Sequence, residues 1–69
     1  MKYAKLRGEI LAKYRTNRDF AQVLNMSPAT LSAKLNGRTE WTVPEMCAAC
    51  KLLGIPLERA HEYFFCAES

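Results

Sequence analysis

The chain has 69 residues, of which 49% are hydrophobic and 25% charged, and its formal net charge is +3. A chain of this length supplies one small domain whose core is too small to enclose a large active site, so an enzyme is disfavoured. No apolar run approaches the roughly 18 residues of a membrane span. The charges spread through residues 1–15 argue against a signal peptide.

The charge is divided unevenly along the chain. Residues 1–38 hold eight Lys and Arg against two Asp and Glu, a net charge of +6, whereas residues 39–69 hold two against five, a net charge of −3. A basic half joined to an acidic half predicts one face for a polyanion and another for a different partner. Chance clustering on a solvated surface is the alternative.

The cysteines do not form a disulfide framework. Cys47, Cys50 and Cys66 are odd in number, which predicts reduced thiols in a cytoplasm. Zinc needs four ligands, and only His61 could join the three thiols, with no helix spacing that makes them converge. We therefore expect packed or inert thiols, no metal and no cofactor, and we expect His61 on a solvated face rather than as a general base.

Strand signals are nearly absent, and capping residues divide the chain into helices. The first predicted helix covers residues 3–14. Thr16 then begins a second helix over residues 17–24, with Asp19 as its capping partner three residues on. Asn25 is the predicted stop, because asparagine tolerates the left-handed conformation.

The other predicted helices also open at a capping residue or a proline. They are a third helix opened by Ser27 and Pro28 and ended by Asn36 and Gly37, a fourth capped by Thr42 with Glu45 and closed after Leu53 by Gly54, and a fifth from Pro56 through Tyr63 or Phe64. The prediction is an all-α fold of five short helices that forms a single domain over residues 1–69.

Apolar residues at helical spacing predict the faces that pack into the core. They are Leu6, Ile10, Leu11 and Tyr14 in the first helix, Phe20, Ala21 and Leu24 in the second, Leu31 and Leu35 in the third, and Met46, Ala49, Leu52 and Leu53 in the fourth.

The second and third helices form the unit that points to a function, over about residues 17–36. Ala21 is small enough to let the two helices approach, and Asn25 accepts the positive φ of a tight turn. Met26 and Leu31 then fill the angle between the helices. This is the helix-turn-helix arrangement, whose second helix enters the major groove of DNA.

Residues 17–37, NRDFAQVLNMSPATLSAKLNG, resemble the helix-turn-helix of lambda-type phage repressor and Cro proteins. The continuation, RTEWTVPEMCAACKLLGIPLERAHEYFF, resembles the last two helices of small phage Cro-like regulators. The resemblance implies a lambda repressor-like fold and a homodimer that binds a near-palindromic operator on double-stranded DNA and represses transcription in a bacterial host.

The resemblance also implies the DNA contacts. Contacts to base edges fall on Ser27, Pro28, Ala29, Ser32 and Ala33, none of which makes the bidentate bonds by which long polar side chains read bases. Direct readout is therefore expected to be weak, with affinity from phosphates and part of the specificity from DNA shape. The expected phosphate contacts are Asn17, Arg18, Thr30, Lys34, Asn36 and Arg38. Among these, Lys34 stands where the family has an aliphatic residue, and it is expected to lift its ammonium toward a phosphate.

The remaining aromatic residues have two interpretations each. Trp41 is predicted to pack in the core, with a base-stacking platform as the alternative. The apolar ending, residues 63–66, either closes the core or forms an interface, which would be a homodimer seam or a docking surface for another protein.

Two functional hypotheses follow. The first is a Cro-like DNA-binding repressor that acts as a dimer. The second is a helix-turn-helix interaction module that binds and modulates a partner repressor protein, which the small side chains of the third helix and the acidic half of the chain keep open. Neither needs catalytic residues.

Overall fold

A computed structural model of the chain describes residues 3–65. Within that range the chain is all-helical, with no strand. Its five α-helices are α1 (Ala4–Tyr14), α2 (Asn17–Val23), α3 (Pro28–Leu35), α4 (Val43–Leu53) and α5 (Ala60–Phe64), and a short 3₁₀ helix (Leu57–Arg59) precedes α5. The predicted all-α class and the five helices are confirmed, and the ends of the first four helices lie within about one residue of the predicted ones. The largest difference is that the first turn of the predicted fifth helix is the 3₁₀ segment.

Side-chain caps start the three middle helices where the sequence predicts them. The Thr16 hydroxyl accepts from the Asp19 amide at 3.1 Å, and the Ser27 hydroxyl accepts from the Thr30 amide at 3.1 Å. At α4 the capping box is complete, because the Thr42 amide also donates to the Glu45 carboxylate at 2.8 Å. Such caps satisfy amides that have no partner inside the helix.

Left-handed residues end the helices and turn the chain. Asn25 has φ 61° in the turn between α2 and α3, and Gly54 has φ 72° after α4. The Met26 amide donates back to the Ala21 carbonyl at 3.0 Å, which closes the α2–α3 turn. Both stops are confirmed, and each is a residue that adopts positive φ at low cost.

One core joins all five helices. Its buried residues are Leu6, Ile10, Phe20, Ala21, Leu31, Leu35, Trp41, Ala49, Cys50, Leu53, Ile55, Tyr63 and Phe64. Trp41 packs edge-on against Phe64 with ring centroids 5.0 Å apart. The core position predicted for Trp41 is therefore confirmed, and Tyr63 and Phe64 close the core from α5. Phe65 is exposed, and Cys66 lies outside the described residues.

Two residues predicted to face the core do not. Leu11 is 52% exposed and Leu52 is 36% exposed. Leu11 follows the buried Ile10, and Leu52 precedes the buried Leu53. Successive residues of an α-helix are rotated by about 100°, so each of the two leucines points away from its buried neighbour. The predicted apolar faces were too wide here, because each helix contacts its neighbours over a narrower stripe than the run of apolar residues suggests.

Candidate nucleic-acid interface

The helices α2 and α3 are closely packed, and the fold leaves one side of α3 open. Ala21 and Leu31 are fully buried between them, and Met26 is partly buried at the turn. Across α3 the residues Leu31 and Leu35 face the core, so the opposite side of the helix faces solvent. This packing determines which of the predicted site residues are accessible.

The open side of α3 carries the predicted base-contacting residues. Ser27, Pro28, Ala29 and Ser32 are exposed, and Ala33 is half-buried. No Asp or Glu occurs between Ser27 and Arg38. The result is an exposed helix face of small side chains without negative charge, called the α3 face below and defined by these five residues.

The first residue of the α3 face also belongs to the helix cap. The Ser27 hydroxyl accepts from the Thr30 amide and donates to Thr30 Oγ1 at 2.8 Å. Its proton is therefore used within the protein, whereas Thr30 is exposed and keeps its own hydroxyl proton. Ser27 therefore caps α3 and is at the same time exposed on the α3 face.

Lys34 takes a different place from the one predicted. Its side chain is only 8% exposed, and its ammonium lies 2.9 Å from the Glu45 carboxylate and donates to the Glu40 carbonyl at 2.9 Å. The expectation that the Lys34 ammonium extends toward a phosphate is therefore corrected, because its charge is already paired with Glu45 inside the fold. Lys34 links α3 to the start of α4.

The same ion pair affects its acidic partner. The pKa of Glu45 is held below its ordinary value, first by the hydrogen bond from the Thr42 amide and then by that from Lys34. The carboxylate thus completes the α4 cap and neutralises Lys34 at once.

The other predicted phosphate contacts lie at the two ends of the α3 face. Asn17 is half-buried at the start of α2, and its Oδ1 is buried with no hydrogen-bond partner among residues 3–65. Arg18 is exposed and lines an open groove of about 340 Å³ with Gln22, Met26 and Pro28. At the other end Arg38 is exposed just after α3. Two guanidinium groups therefore flank the small side chains of the α3 face.

Asn36 connects the α3 face to α1, a contact that sequence analysis missed. Arg7 of α1 donates to the Asn36 Oδ1 and to the Leu35 carbonyl, each at 2.9 Å. The partners are 28 and 29 residues apart in sequence. No local pattern signals a contact between residues so far apart, so it could not have been found before the structure.

Cys47 and Cys50 lie on α4 and His61 lies on α5, so none of the three belongs to the α3 face. Cys47 is exposed and Cys50 is buried on α4, and burial raises the pKa of the Cys50 thiol, with a smaller effect from Cys47. His61 is exposed on α5. Across residues 3–65 no three His, Cys, Asp or Glu side chains gather into a group that could hold a metal ion.

A second exposed feature is apolar. Cys47, Ala48, Lys51, Ile55 and Leu57 line a groove of about 430 Å³ beside α4, called the α4 groove below. Leu57 is 62% exposed at its edge. The α4 groove and the α3 face share no residue, so the molecule presents two chemically different surfaces.

Comparison with known protein families identifies the family to which the chain belongs. The chain matches the family described as "Protein of unknown function (DUF739)" over residues 1–67, and it belongs to that family. No curated protein matches the chain. Of the helices between residues 3 and 65, none combines the length and the apolarity that crossing a bilayer requires.

Proposed function

We propose that this member of the DUF739 family is a sequence-specific DNA-binding transcriptional regulator of the Cro-like, lambda-repressor type. In this proposal α2 and α3 are a helix-turn-helix and α3 is the recognition helix, which enters the major groove. The protein represses by occupying a near-palindromic operator as a homodimer in the cytoplasm of a bacterial host, without catalysis or a cofactor.

The observation that carries the proposal is the exposed, acid-free α3 face between two guanidinium groups. A helix that enters the major groove passes between two rows of phosphates, so a carboxylate on its outer side would be repelled. Small side chains allow the helix backbone to approach the base edges closely. Pro28, Ala29 and Ala33 suit contact with thymine methyl groups, and Ser32 suits a hydrogen bond to a base.

Most of the affinity in this proposal comes from phosphates. Arg18 and Arg38 are the cations at the two ends of the α3 face, and amides at the start of α2 and the hydroxyl of Thr30 add neutral donors. Lys34 is left out because its ammonium is paired with Glu45. Binding of this kind weakens steeply as salt concentration rises.

The test is selection of binding sites from random duplexes by the purified full chain, followed by salt titration on the selected site. We expect a near-palindrome whose half-sites are about one helical turn apart, which would identify the operator and the dimer together. Affinity should fall steeply between low and physiological salt. Absence of duplex binding at any salt concentration would refute the proposal.

A second candidate is the interaction module that binds and modulates a partner repressor protein. The α4 groove favours it, because an exposed apolar groove is typical of a surface that another protein covers. A stable complex with a repressor domain, formed by a chain that binds no duplex, would support this candidate over the first.

A further inference from the structure

A chain of hydrogen bonds runs from α1 to the middle of the α3 face. Arg7 donates to the Asn36 Oδ1 at 2.9 Å, and the Asn36 Nδ2 donates to the Ser32 Oγ at 3.4 Å. Arg7 is also held by the Leu35 carbonyl at 2.9 Å, so its guanidinium is anchored at the end of α3. These hydrogen bonds therefore link the half-buried guanidinium of Arg7 to the exposed hydroxyl of Ser32.

The direction of these bonds is set by Arg7. A guanidinium has donors and no acceptor, so only the carbonyl oxygen of the Asn36 amide can face it. The amide nitrogen must then face Ser32, where it can only donate. The orientation of a side-chain amide is normally open to a 180° flip, and here the cation selects one of the two states.

Ser32 is left with a proton to give. Its oxygen accepts from Asn36, and that amide is the one hydrogen-bond partner that residues 3–65 offer its side chain. The Ser32 hydroxyl proton is thus available as a hydrogen-bond donor on an exposed part of the α3 face. A hydroxyl alone can donate or accept, whereas this one is biased toward donating.

We propose that Arg7 and Asn36 are positioning residues that make Ser32 a hydrogen-bond donor toward DNA. The inference rests on the proposed function and names the chemistry that the α3 face reads. Ser32 favours a base whose major-groove edge presents an acceptor, namely a purine N7, guanine O6 or thymine O4, and it disfavours cytosine, whose N4 amino group donates.

The experiment compares binding-site selections for the wild type and for Ser32→Ala and Asn36→Asp. We expect one position of each half-site to lose its preference in Ser32→Ala, by about 3- to 10-fold, which is the range of one neutral hydrogen bond. Asn36→Asp keeps the contact to Arg7, but the new carboxylate accepts the hydroxyl proton of Ser32. The Ser32 oxygen then presents only its lone pairs to the DNA and can act only as an acceptor. At that position the preference should move toward cytosine.

The readout is the ratio of affinities between duplexes that differ at this one base pair. Asn36→Asp adds a negative charge that weakens binding to all sequences, and a ratio is insensitive to that loss. Asn25→Asp, at the α2–α3 turn, is the matched control, because it adds the same charge without contacting Ser32. It should lower affinity and leave the ratio unchanged.

Variants of Arg7 test the positioning role. Arg7→Lys retains a side chain that only donates and should preserve the preference, whereas Arg7→Gln removes the constraint on the amide and should lose it. Far-UV circular dichroism and urea titration identify any variant that fails to fold, and Ser32→Ala, an exposed change, keeps the test decisive in that case.

The outcomes separate the inference from the function beneath it. The inference would be overturned if the wild type selects a defined site but every base preference in Ser32→Ala and Asn36→Asp stays within about twofold of the wild type. That result would leave the proposed function standing. A wild type that selects no sequence would overturn both.

Discussion

Side chains near the α3 face divide into those that the fold already uses and those that it leaves available. Lys34 forms an ion pair with Glu45 inside the protein, and the Ser27 hydroxyl donates its proton to Thr30 Oγ1. Ala29 and Arg38 are exposed, and no hydrogen bond or ion pair of their side chains lies within residues 3–65. These two residues therefore test the proposed interface with the least risk to stability.

Replacing Ala29 with glutamate should abolish duplex binding. A carboxylate on the exposed side of α3 would face the phosphates of the major groove, and we expect a loss of at least about 100-fold in affinity. Stability should change by no more than about 0.5 kcal/mol, since the residue is exposed on a helix. Fluorescence anisotropy with the selected duplex measures the affinity, and urea titration measures the stability.

The matched control is Ala12→Glu, which adds the same charge at an exposed alanine of α1. It should retain most of the wild-type affinity. Ala29→Glu binding as tightly as Ala12→Glu would show that the α3 face does not contact DNA.

Replacing Arg38 with alanine should weaken binding to all duplexes by a similar factor. A phosphate contact carries no base information, so its loss should leave sequence preference unchanged. It should also reduce the slope of log affinity against log salt concentration by about 0.9. Salt titrations on the selected site and on an unrelated duplex measure both effects.

Lys51→Ala is the control for Arg38→Ala, because it removes one exposed positive charge from α4. Its salt slope should match that of the wild type. Equal slopes for all three proteins would mean that Arg38 is not at a phosphate.

Among the helices, α3 is held by side chains from two others. Arg7 of α1 donates to its last carbonyl, and Glu45 of α4 pairs with Lys34. Its N-terminus is capped locally by Ser27. The orientation of α3 relative to the core thus depends on polar contacts as well as on Leu31 and Leu35.

Removing the buried cation should destabilise the fold. Lys34→Ala removes the ion-pair partner of the Glu45 carboxylate and the side-chain donor to the Glu40 carbonyl, and we expect a loss of about 1–3 kcal/mol in the free energy of unfolding. Urea titration at neutral pH measures this loss.

Glu45→Gln provides the comparison, because glutamine can still accept from the Thr42 amide while the ion pair is lost. In the double variant the cost of removing Lys34 should be smaller than in the wild-type background, as expected for residues that interact directly. Additive effects, or a Lys34→Ala variant as stable as the wild type, would contradict the pairing.

For the molecule as a whole, ionic contacts join its first and last described helices. Glu62 of α5 accepts from Lys5 of α1 at 3.1 Å and from the Arg59 guanidinium at 2.9 Å. Arg59 first, and Lys5 second, lower the pKa of Glu62 to about 2. The basic N-terminal half and the acidic C-terminal half are thus in contact.

These contacts predict how stability depends on acid. A carboxyl whose pKa is lowered in the folded state stabilises the fold above its ordinary pKa of 4.5, and the contribution is lost as the pH falls from about 4.5 to about 2. Glu62→Gln should therefore show a weaker fall in stability over this range than the wild type. Urea titrations at pH 7, 4.5, 3 and 2 measure it.

Glu58→Gln removes an equal charge from the adjacent 3₁₀ helix without touching these ion pairs, and it should follow the wild type. A Glu62→Gln variant whose stability falls with acid as steeply as that of Glu58→Gln would rule out a contribution from this pair.

The sequence alone determined where the helices begin and end, since caps and left-handed stops act within a few residues along the chain. Thr16, Ser27 and Thr42 start helices as predicted, and Asn25 and Gly54 end them. It also indicated the exposed side of α3, because Leu31 and Leu35 mark the opposite side. These features depend on spacing and on the conformational preferences of single residues.

Only the tertiary structure decided which polar groups meet. Lys34 points inward because Glu45 and the Glu40 carbonyl lie opposite it, and Asn36 faces Arg7 because α1 packs beside the end of α3. Leu11 and Leu52 are exposed for a related reason, as no neighbouring helix covers them fully. Contacts between residues far apart in sequence depend on how the helices pack, and no local pattern along the chain encodes that.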